Sequence, residues 1–387
     1  MGKINVGIFI DTFYPMVDGV IQVVDQYAQR LGKKCNVTVF TTQPRRGKED
    51  LIEHPYKVVR CKVMKVPGQD YDLALPCFDK KFKKELKNAK LDIVHIHSPF
   101  SIGKRGVKYA KKNKIPVVAT MHSQFKQDFY KATKSKFLTK IMLGYIMKTF
   151  NKCNKCYAVN QRIAEIFHDD YGAKEMPGVL LNGTDFSPIE NEQEAHKLVN
   201  QKFKINSHMP VLLFVGRLTM LKNILFIVQA LKLLKDKNMN FKMIYVGTGI
   251  DENNLKDKII ELGLEKEVIL TGKIMDRELL KAIYSRAQLF LFPSYYDANS
   301  LVQIEAASQK TPTIFLEGSA TSSSVTADKN GFICPNAIEA FADKIYEVLN
   351  NKEYYTRVQQ GAFDDLYRSW DECVEDAYQE YIKHIKK

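Results

Sequence analysis

The sequence predicts an α/β protein built of two doubly wound, parallel-sheet domains. Three observations predict it. The chain has 387 residues, enough for two domains. Its strand candidates are short, β-branched and apolar on both faces, as strands inside a parallel sheet are. In the second half a strand, a small-residue turn and a helix follow one another five times, the grammar of a doubly wound sheet.

Ile4–Ile10 is the first strand, followed by the loop Asp11–Val20 and a helix over Val20–Leu31 with a basic end. Further strands are expected at Val37–Thr41, Asp92–His97 and Pro116–Thr120. In the second half, Val211–Val215 leads into Gly216-Arg217 and a helix from about Ile224 to Leu234. Phe241–Val246 leads into Gly247-Thr-Gly249, Glu267–Thr271 into Gly272, and Gln288–Phe292 into Pro293-Ser294. Pro312–Leu316 leads into Glu317–Ser324. Ligands are expected where these loops leave the carboxyl ends of the strands. The domains are read as 1–182 and 209–364, joined by a polar, aperiodic connector over 183–208. A helical stretch from about Tyr354, carrying the only tryptophan, Trp370, closes the chain.

The composition is that of a globular protein with a sizeable core: 45% hydrophobic and 26% charged. Met1-Gly2-Lys3 runs straight into a strand, and no apolar run approaches the ~18 residues of a membrane span. The expected location is therefore the cytoplasm. The seven cysteines are odd in number and dispersed, so free thiols are expected; Cys153 and Cys156 form a CxxC with no second pair. Charge is uneven. Residues 1–180 carry 33 Lys and Arg against 16 Asp and Glu, and within 101–150 the count is 12 against 1. The rest of the chain is slightly acidic, so the first half should meet an anionic partner.

Four segments can carry chemistry. Asp297 lies in a loop after a strand, and Glu305 lies eight residues on in the next helix. Two such carboxylates can meet one polyhydroxyl ligand through charge-assisted hydrogen bonds. The spacing also suits a helix-capping Asp with an exposed Glu. Arg217 and Lys222 follow a strand and Gly216 and precede a helix, where a diphosphate would meet amides, helix dipole and both cations. A solvated basic turn would look the same. Gly19 opens the first helix and lets backbone approach a phosphate, without the GxGxxG of a nicotinamide site. His122 follows the strand ending at Thr120 and could act as a hydrogen-bonding or acid/base group, or serve structure alone. His95 and His97 suit core or cleft-edge roles. Asp70-Tyr-Asp72 is a DxD without a preceding strand, so no metal site is assigned to it.

Taken in order, Leu181-Asn-Gly183-Thr-Asp185-Phe, Gly216-Arg217…Lys222, Gly247-Thr-Gly249, Thr271-Gly272 and Asp297…Glu305 resemble family 4 retaining glycosyltransferases of the GT-B fold. The resemblance covers nearly the whole chain. It implies two Rossmann-like domains facing across a cleft that holds the reaction centre. A last helix, about 365–387, would pack back on the first domain. It implies that Arg217 and Lys222 neutralise the diphosphate of a sugar nucleotide, that Glu305 holds the ribose hydroxyls, and that Asp297 faces the transferred sugar. Gly19, Gly216, Gly247, Gly249, Gly272, Ser300 and Leu301 complete the implied donor site, and His122 lies by the sugar. His122, Arg217, Lys222 and Asp297 are the implied catalytic set. No metal or other cofactor is implied. Two positions depart from the family: it usually has Glu where Asp297 stands, and often an acidic residue near Ser322-Ser-Ser324. Both bear on donor identity.

The acceptor side should lie in the first half. Residues 125–150 interleave Lys126, Lys131, Lys134, Lys136 and Lys140 with large apolar and aromatic residues, and Lys80–Lys84 adds more charge. Such a surface suits an anionic membrane, and it also suits solvated helix faces over a core helix. Asp92–Gly103 and Thr120-Met-His122-Ser123 look most like bacterial diacylglycerol glucosyltransferases. The expectation is a peripheral enzyme on the inner face of the plasma membrane, moving glucose from UDP-glucose to a lipid such as diacylglycerol. Polyprenyl-linked glycan, capsule or teichoic-acid-type acceptors are the alternative. A non-catalytic, polyanion-binding protein is the alternative of another class, although no nucleic-acid recognition motif with stacking aromatics is present.

Overall fold

A computed structural model describes residues 2–386 except 17, 46–47, 67–71 and 296. The chain divides into two compact domains: Met1–Asn182 with Trp370–Lys387, and Gly183–Ser369.

The first domain holds β1 (Asn5–Phe9), β2 (Asn36–Thr42), β3 (Lys57–Cys61), β4 (Val63–Met64), β5 (Leu73–Ala74), β6 (Ile93–Ile96), β7 (Val117–Met121), β8 (Lys155–Ala158) and β9 (Gly178–Val179). Seven of these form one sheet in the order β3-β2-β1-β6-β7-β8-β9, every pair parallel. β4 and β5 form a small antiparallel ribbon. Every residue of β6 and β7 is buried, so their sequences are mostly apolar, and the polar pair His95 and Thr120 bond to each other at 2.7 Å. The strand order reverses between β1 and β6, so the loops after Phe9 and Ile96 diverge there, and ligands favour such a point.

The second domain holds β10 (Val211–Val215), β11 (Lys242–Val246), β12 (Val268–Leu270), β13 (Leu289–Phe292), β14 (Thr313–Leu316) and β15 (Phe332–Cys334). They form one parallel sheet in the order β12-β11-β10-β13-β14-β15. Its reversal lies between β10 and β13. The loops carrying Arg217 and Asp297 leave the carboxyl ends of those two strands.

Two expectations need correction. Residues 183–208 are not an aperiodic connector: they hold the helix Glu192–Phe203, capped by Asn191 and pinned by the fully buried Val199. It packs against the helix Arg277–Arg286, so the segment is part of the second domain. The closing helical stretch is two helices, Lys352–Leu366 in the second domain and Trp370–Ile385 in the first. The latter buries Trp370, Cys373, Val374, Ala377 and Tyr381 along one stripe and packs on the helix Gly19–Gly32. Arg30–Asp371 and Lys34–Glu375 ion pairs edge that seam.

Candidate functional site

In the second domain the first site loop is built on glycine. Gly247 has φ +135, and a Cβ there would stand 1.9 Å from the Gly216 carbonyl oxygen. A Cβ on Gly249 would stand 2.1 Å from the carbonyl oxygen of Leu218. Only glycine lets the loop after β11 lie against the turn after β10. The Gly216 amide donates to Val246 (3.0 Å), Leu218 to Thr248 (3.0 Å), and Gly247 to Gly272 (2.9 Å). The three glycine-bearing loops thus form one layer at the sheet's carboxyl edge. Arg217 projects from it, exposed, and its guanidinium pairs with no side chain among the described residues.

The chain then makes a 3-10 turn, Met220–Lys222, and passes through Asn223 in the left-handed region at φ 59 before the helix Ile224–Asp236. The Asn223 amide donates to the Pro293 carbonyl at 3.2 Å and ties the loop after β10 to that after β13. Lys222 Nζ is ion-paired with Asp297. The other carboxylate oxygen of Asp297 accepts from the Ser294 hydroxyl at 2.7 Å. Two residues 75 apart in sequence therefore meet at the strand-order reversal. Asp297 does not hold the N-cap position of the helix that follows. Ser300 holds the N-cap position of the helix Leu301–Ser308 and makes no side-chain cap bond, so that helix start is open to an anion.

Glu305 lies one turn further on, and its carboxylate has firm partners. It accepts from the Tyr284 hydroxyl at 2.9 Å and from both terminal nitrogens of Arg277 at 3.3 and 3.4 Å. Arg277 also reaches Asp185 at 2.6 Å and lies over the Phe186 ring at 4.1 Å. Burial pushes the Glu305 carboxyl above the usual range, opposed by Arg277 and Tyr284.

In the first domain, Gly19 is exposed at the start of the helix Gly19–Gly32, with open space where a Cβ would be. Asp18 caps that helix, accepting from the Ile21 amide at 2.8 Å. A phosphate approaching Gly19 must share the helix end with this carboxylate. His122 follows β7 and pairs with His97: its Nε2 is 2.9 Å from His97 Nδ1, the rings stacked. His95 lies beside His97 at 4.0 Å between ring centroids and bonds to Tyr381 and Thr120. Burial drives all three imidazoles to the neutral form, His95 and His122 to about 3. The bond between His97 and His122 thereby constrains which nitrogen of His122 carries the proton.

The five predicted lysines are all exposed, on the helices Phe125–Thr133 and Lys136–Phe150 or, for Lys134, in the two-residue link between them. Lys136–Phe150 has two faces. Leu143, Ile146, Met147 and Phe150 are buried, whereas Phe137, Leu138, Ile141 and Tyr145 are exposed, Phe137 by 72%. The helix Lys80–Asn88 is separate: it buries Phe82 and Leu86 and packs against β3. Asp72 of the DxD pairs with Arg45, and Asp70 lies outside the described residues. Cys153 and Cys156 are free thiols, as are the other five cysteines. No helix among the described residues is long and apolar enough to cross a membrane.

Two sequence families match this chain: residues 17–187 match that described as Glycosyltransferase Family 4, and 197–365 match Glycosyl transferases group 1. The chain belongs to the family 4 glycosyltransferases. An alpha-monoglucosyldiacylglycerol synthase of Acholeplasma laidlawii is 26% identical over 371 residues, 92% of this chain and 91% of that one. The synthase of that name from Streptococcus pneumoniae is 26% identical over 317 residues, covering 80% and 70%. Among solved structures, sucrose-phosphate synthase of Thermosynechococcus elongatus superposes with a TM-score of 0.80 at 19% identity, covering 98% of this chain and 99% of that one. HepE of Anabaena, solved with UDP, gives 0.76 at 17% identity, covering 99% and 100%. The fold is that of the GT-B glycosyltransferases.

In this family 4 chain the partners of Glu305, Tyr284 and Arg277, lie 21 and 28 residues before it in sequence. Neither carries a spacing signal toward it, and nor does Asp185, which pairs with Arg277. The one available hint was Asp185-Phe186, part of a family-like segment whose contacts only the fold reveals.

Proposed function

We propose that the protein moves a hexose, glucose from UDP-glucose, to a lipid acceptor such as diacylglycerol at the cytoplasmic membrane surface. The reaction retains anomeric configuration and needs no divalent metal. Breaking the anomeric bond places negative charge on the departing nucleoside diphosphate. Arg217, Lys222 and the open amides of the Leu301–Ser308 helix are grouped where such a charge would be met, each charged hydrogen bond contributing about 1.5–3 kcal/mol. Gly216, Gly247, Gly249 and Gly272 bring backbone close to the donor. Glu305 takes the ribose hydroxyls and Asp297 the hydroxyls of the sugar. From the first domain, Gly19 supplies backbone toward the phosphates and His122, held neutral, a hydrogen bond to the sugar.

One observation carries the lipid half of this reading. Phe137, Ile141 and Tyr145 recur every fourth residue on an exposed helix face, beside the Lys136–Lys140 row. That combination of shallow apolar insertion and positive charge suits an anionic bilayer. The two diacylglycerol synthases among the relatives support it. A second reading is favoured by an Escherichia coli relative, 28% identical over 279 residues, named as a galactosyltransferase acting on a diphosphoundecaprenol-linked sugar. The same basic surface would serve a lipid diphosphate. The test is a panel of sugar nucleotides offered with diacylglycerol or with polyprenyl diphosphate sugars in vesicles. A glucolipid formed from UDP-glucose and diacylglycerol is expected. Transfer to the polyprenyl acceptor alone would select the second reading.

A further inference from the structure

A cavity of about 690 Å³ opens in the first domain between the helix Phe125–Thr133, the start of the helix Lys136–Phe150, and the segment 162–171. Lys126, Lys136 and Arg162 line it, against a single carboxylate, Asp170. Tyr130, Ile166 and Tyr171 give it an apolar wall. Ile166–Asp170 is a π-helical turn, a rare conformation that is frequent at functional sites. Tyr171 is buried and accepts from the Lys126 amide at 3.1 Å, so the cavity floor and the helix bearing Lys126 are joined.

Three cations around an apolar-walled bowl match one ligand chemistry: a phosphodiester attached to a greasy body. Arg162 pairs with Glu165 at 3.3 Å through one terminal nitrogen and has its other donors for phosphate oxygens, and the lysines supply compact charge. Lys136 and Thr139 face the bowl from the helix Lys136–Phe150, whose exposed Phe137 and Ile141 lie on its other side. A lipid whose headgroup enters the bowl can rest its first chain carbons against Tyr130 and the apolar wall. We infer that this cavity is a binding site for the phosphate headgroup of an anionic phospholipid. It is separate from the residues assigned to the donor. The inference rests on the reading that this domain meets a membrane, and it adds a saturable, stereochemically defined site to what would otherwise be diffuse charge attraction.

The test titrates the full chain by calorimetry with dihexanoylphosphatidylglycerol below its micelle concentration. Dihexanoylphosphatidylcholine and inorganic phosphate are the controls. Saturable binding of the anionic lipid is expected, at least tenfold tighter than either control, and at least tenfold weaker in Lys136→Gln/Arg162→Gln. Phe137→Ala/Ile141→Ala should keep headgroup binding while losing sedimentation with phosphatidylglycerol vesicles. Thermal melts of each variant exclude misfolding. Equal affinity in Lys136→Gln/Arg162→Gln and the parent would overturn the site, as would inorganic phosphate binding as tightly as the lipid. If vesicles recruit no form of the protein, the membrane reading fails, and the soluble titration still decides the cavity.

Discussion

The ammonium group of Lys222 is ion-paired with the carboxylate of Asp297, which also accepts a hydrogen bond from Ser294. One cation expected at the donor diphosphate is therefore engaged by the residue expected at the transferred sugar. Both side chains are largely buried, so water screens the pair weakly.

This pairing makes Asp297 a competitor for the cation that the donor needs. Asp297→Asn should tighten UDP binding several-fold while lowering sugar transfer, because the carboxylate that orients the hexose is gone. Lys222→Ala should weaken UDP binding by about 10- to 100-fold, the cost of one charged hydrogen bond. Calorimetric titration with UDP and initial rates measured side by side would check both. Weaker UDP binding in Asp297→Asn would show that the pair positions Lys222 and does not compete for it.

Glu305 is clamped by Tyr284 and Arg277, and the clamp should set discrimination at the ribose. Glu305→Ala should erase the preference for UDP over 2′-deoxy-UDP. Tyr284→Phe leaves a buried carboxylate oxygen short of a donor, which costs about 1–3 kcal/mol of stability. It should also raise the donor KM more than it lowers kcat. Competition between the two nucleotides, with urea unfolding of the same variants, measures both effects.

His95 and His97 are buried and held neutral, His95 at about 3. In the unfolded chain each protonates near pH 6.5. The unfolded state therefore binds more protons than the native state below that pH. The stability these groups contribute is whole above pH 6.5 and falls by about 1.4 kcal/mol per pH unit for each histidine as acid is added. Unfolding midpoints at pH 7, 6 and 5 should drop steadily, and His97→Gln should flatten the decline. A flat profile in the parent would contradict it.

How much of this was legible in the sequence follows from where each signal lives. The central strands β1, β6, β7, β10, β11, β13 and β14 were readable because burial on both faces makes them predominantly apolar, with at most one polar residue each. The edge strands β3 and β9 and the next-to-edge β8 were not: β3 is interrupted by Lys57 and Arg60, β8 begins with an only partly buried Lys155, and β9 is two residues long. The helix Glu192–Phe203 was hidden because Val199 is its one fully buried residue, too little to set a period. The loops bearing Arg217, Lys222 and Asp297 were found from small-residue turns after strands. Their meeting was not, since no spacing rule links positions 75 apart.

The exposed stripe on the helix Lys136–Phe150 should anchor the protein through both charge and insertion. Phe137→Ala/Ile141→Ala should reduce sedimentation with phosphatidylglycerol vesicles about tenfold or more and leave UDP binding unchanged. Binding of the parent should fall with added salt, because the lysines act through a screened field.

The decisive assay is transfer of labelled glucose from UDP-glucose to diacylglycerol in phosphatidylglycerol vesicles, with excess EDTA present. An α-linked glucosyldiacylglycerol formed at the same rate with and without EDTA is the predicted result, and its loss in Arg217→Ala would assign it to this site. No glucolipid from any vesicle, or a product formed only when divalent metal is restored, would contradict it.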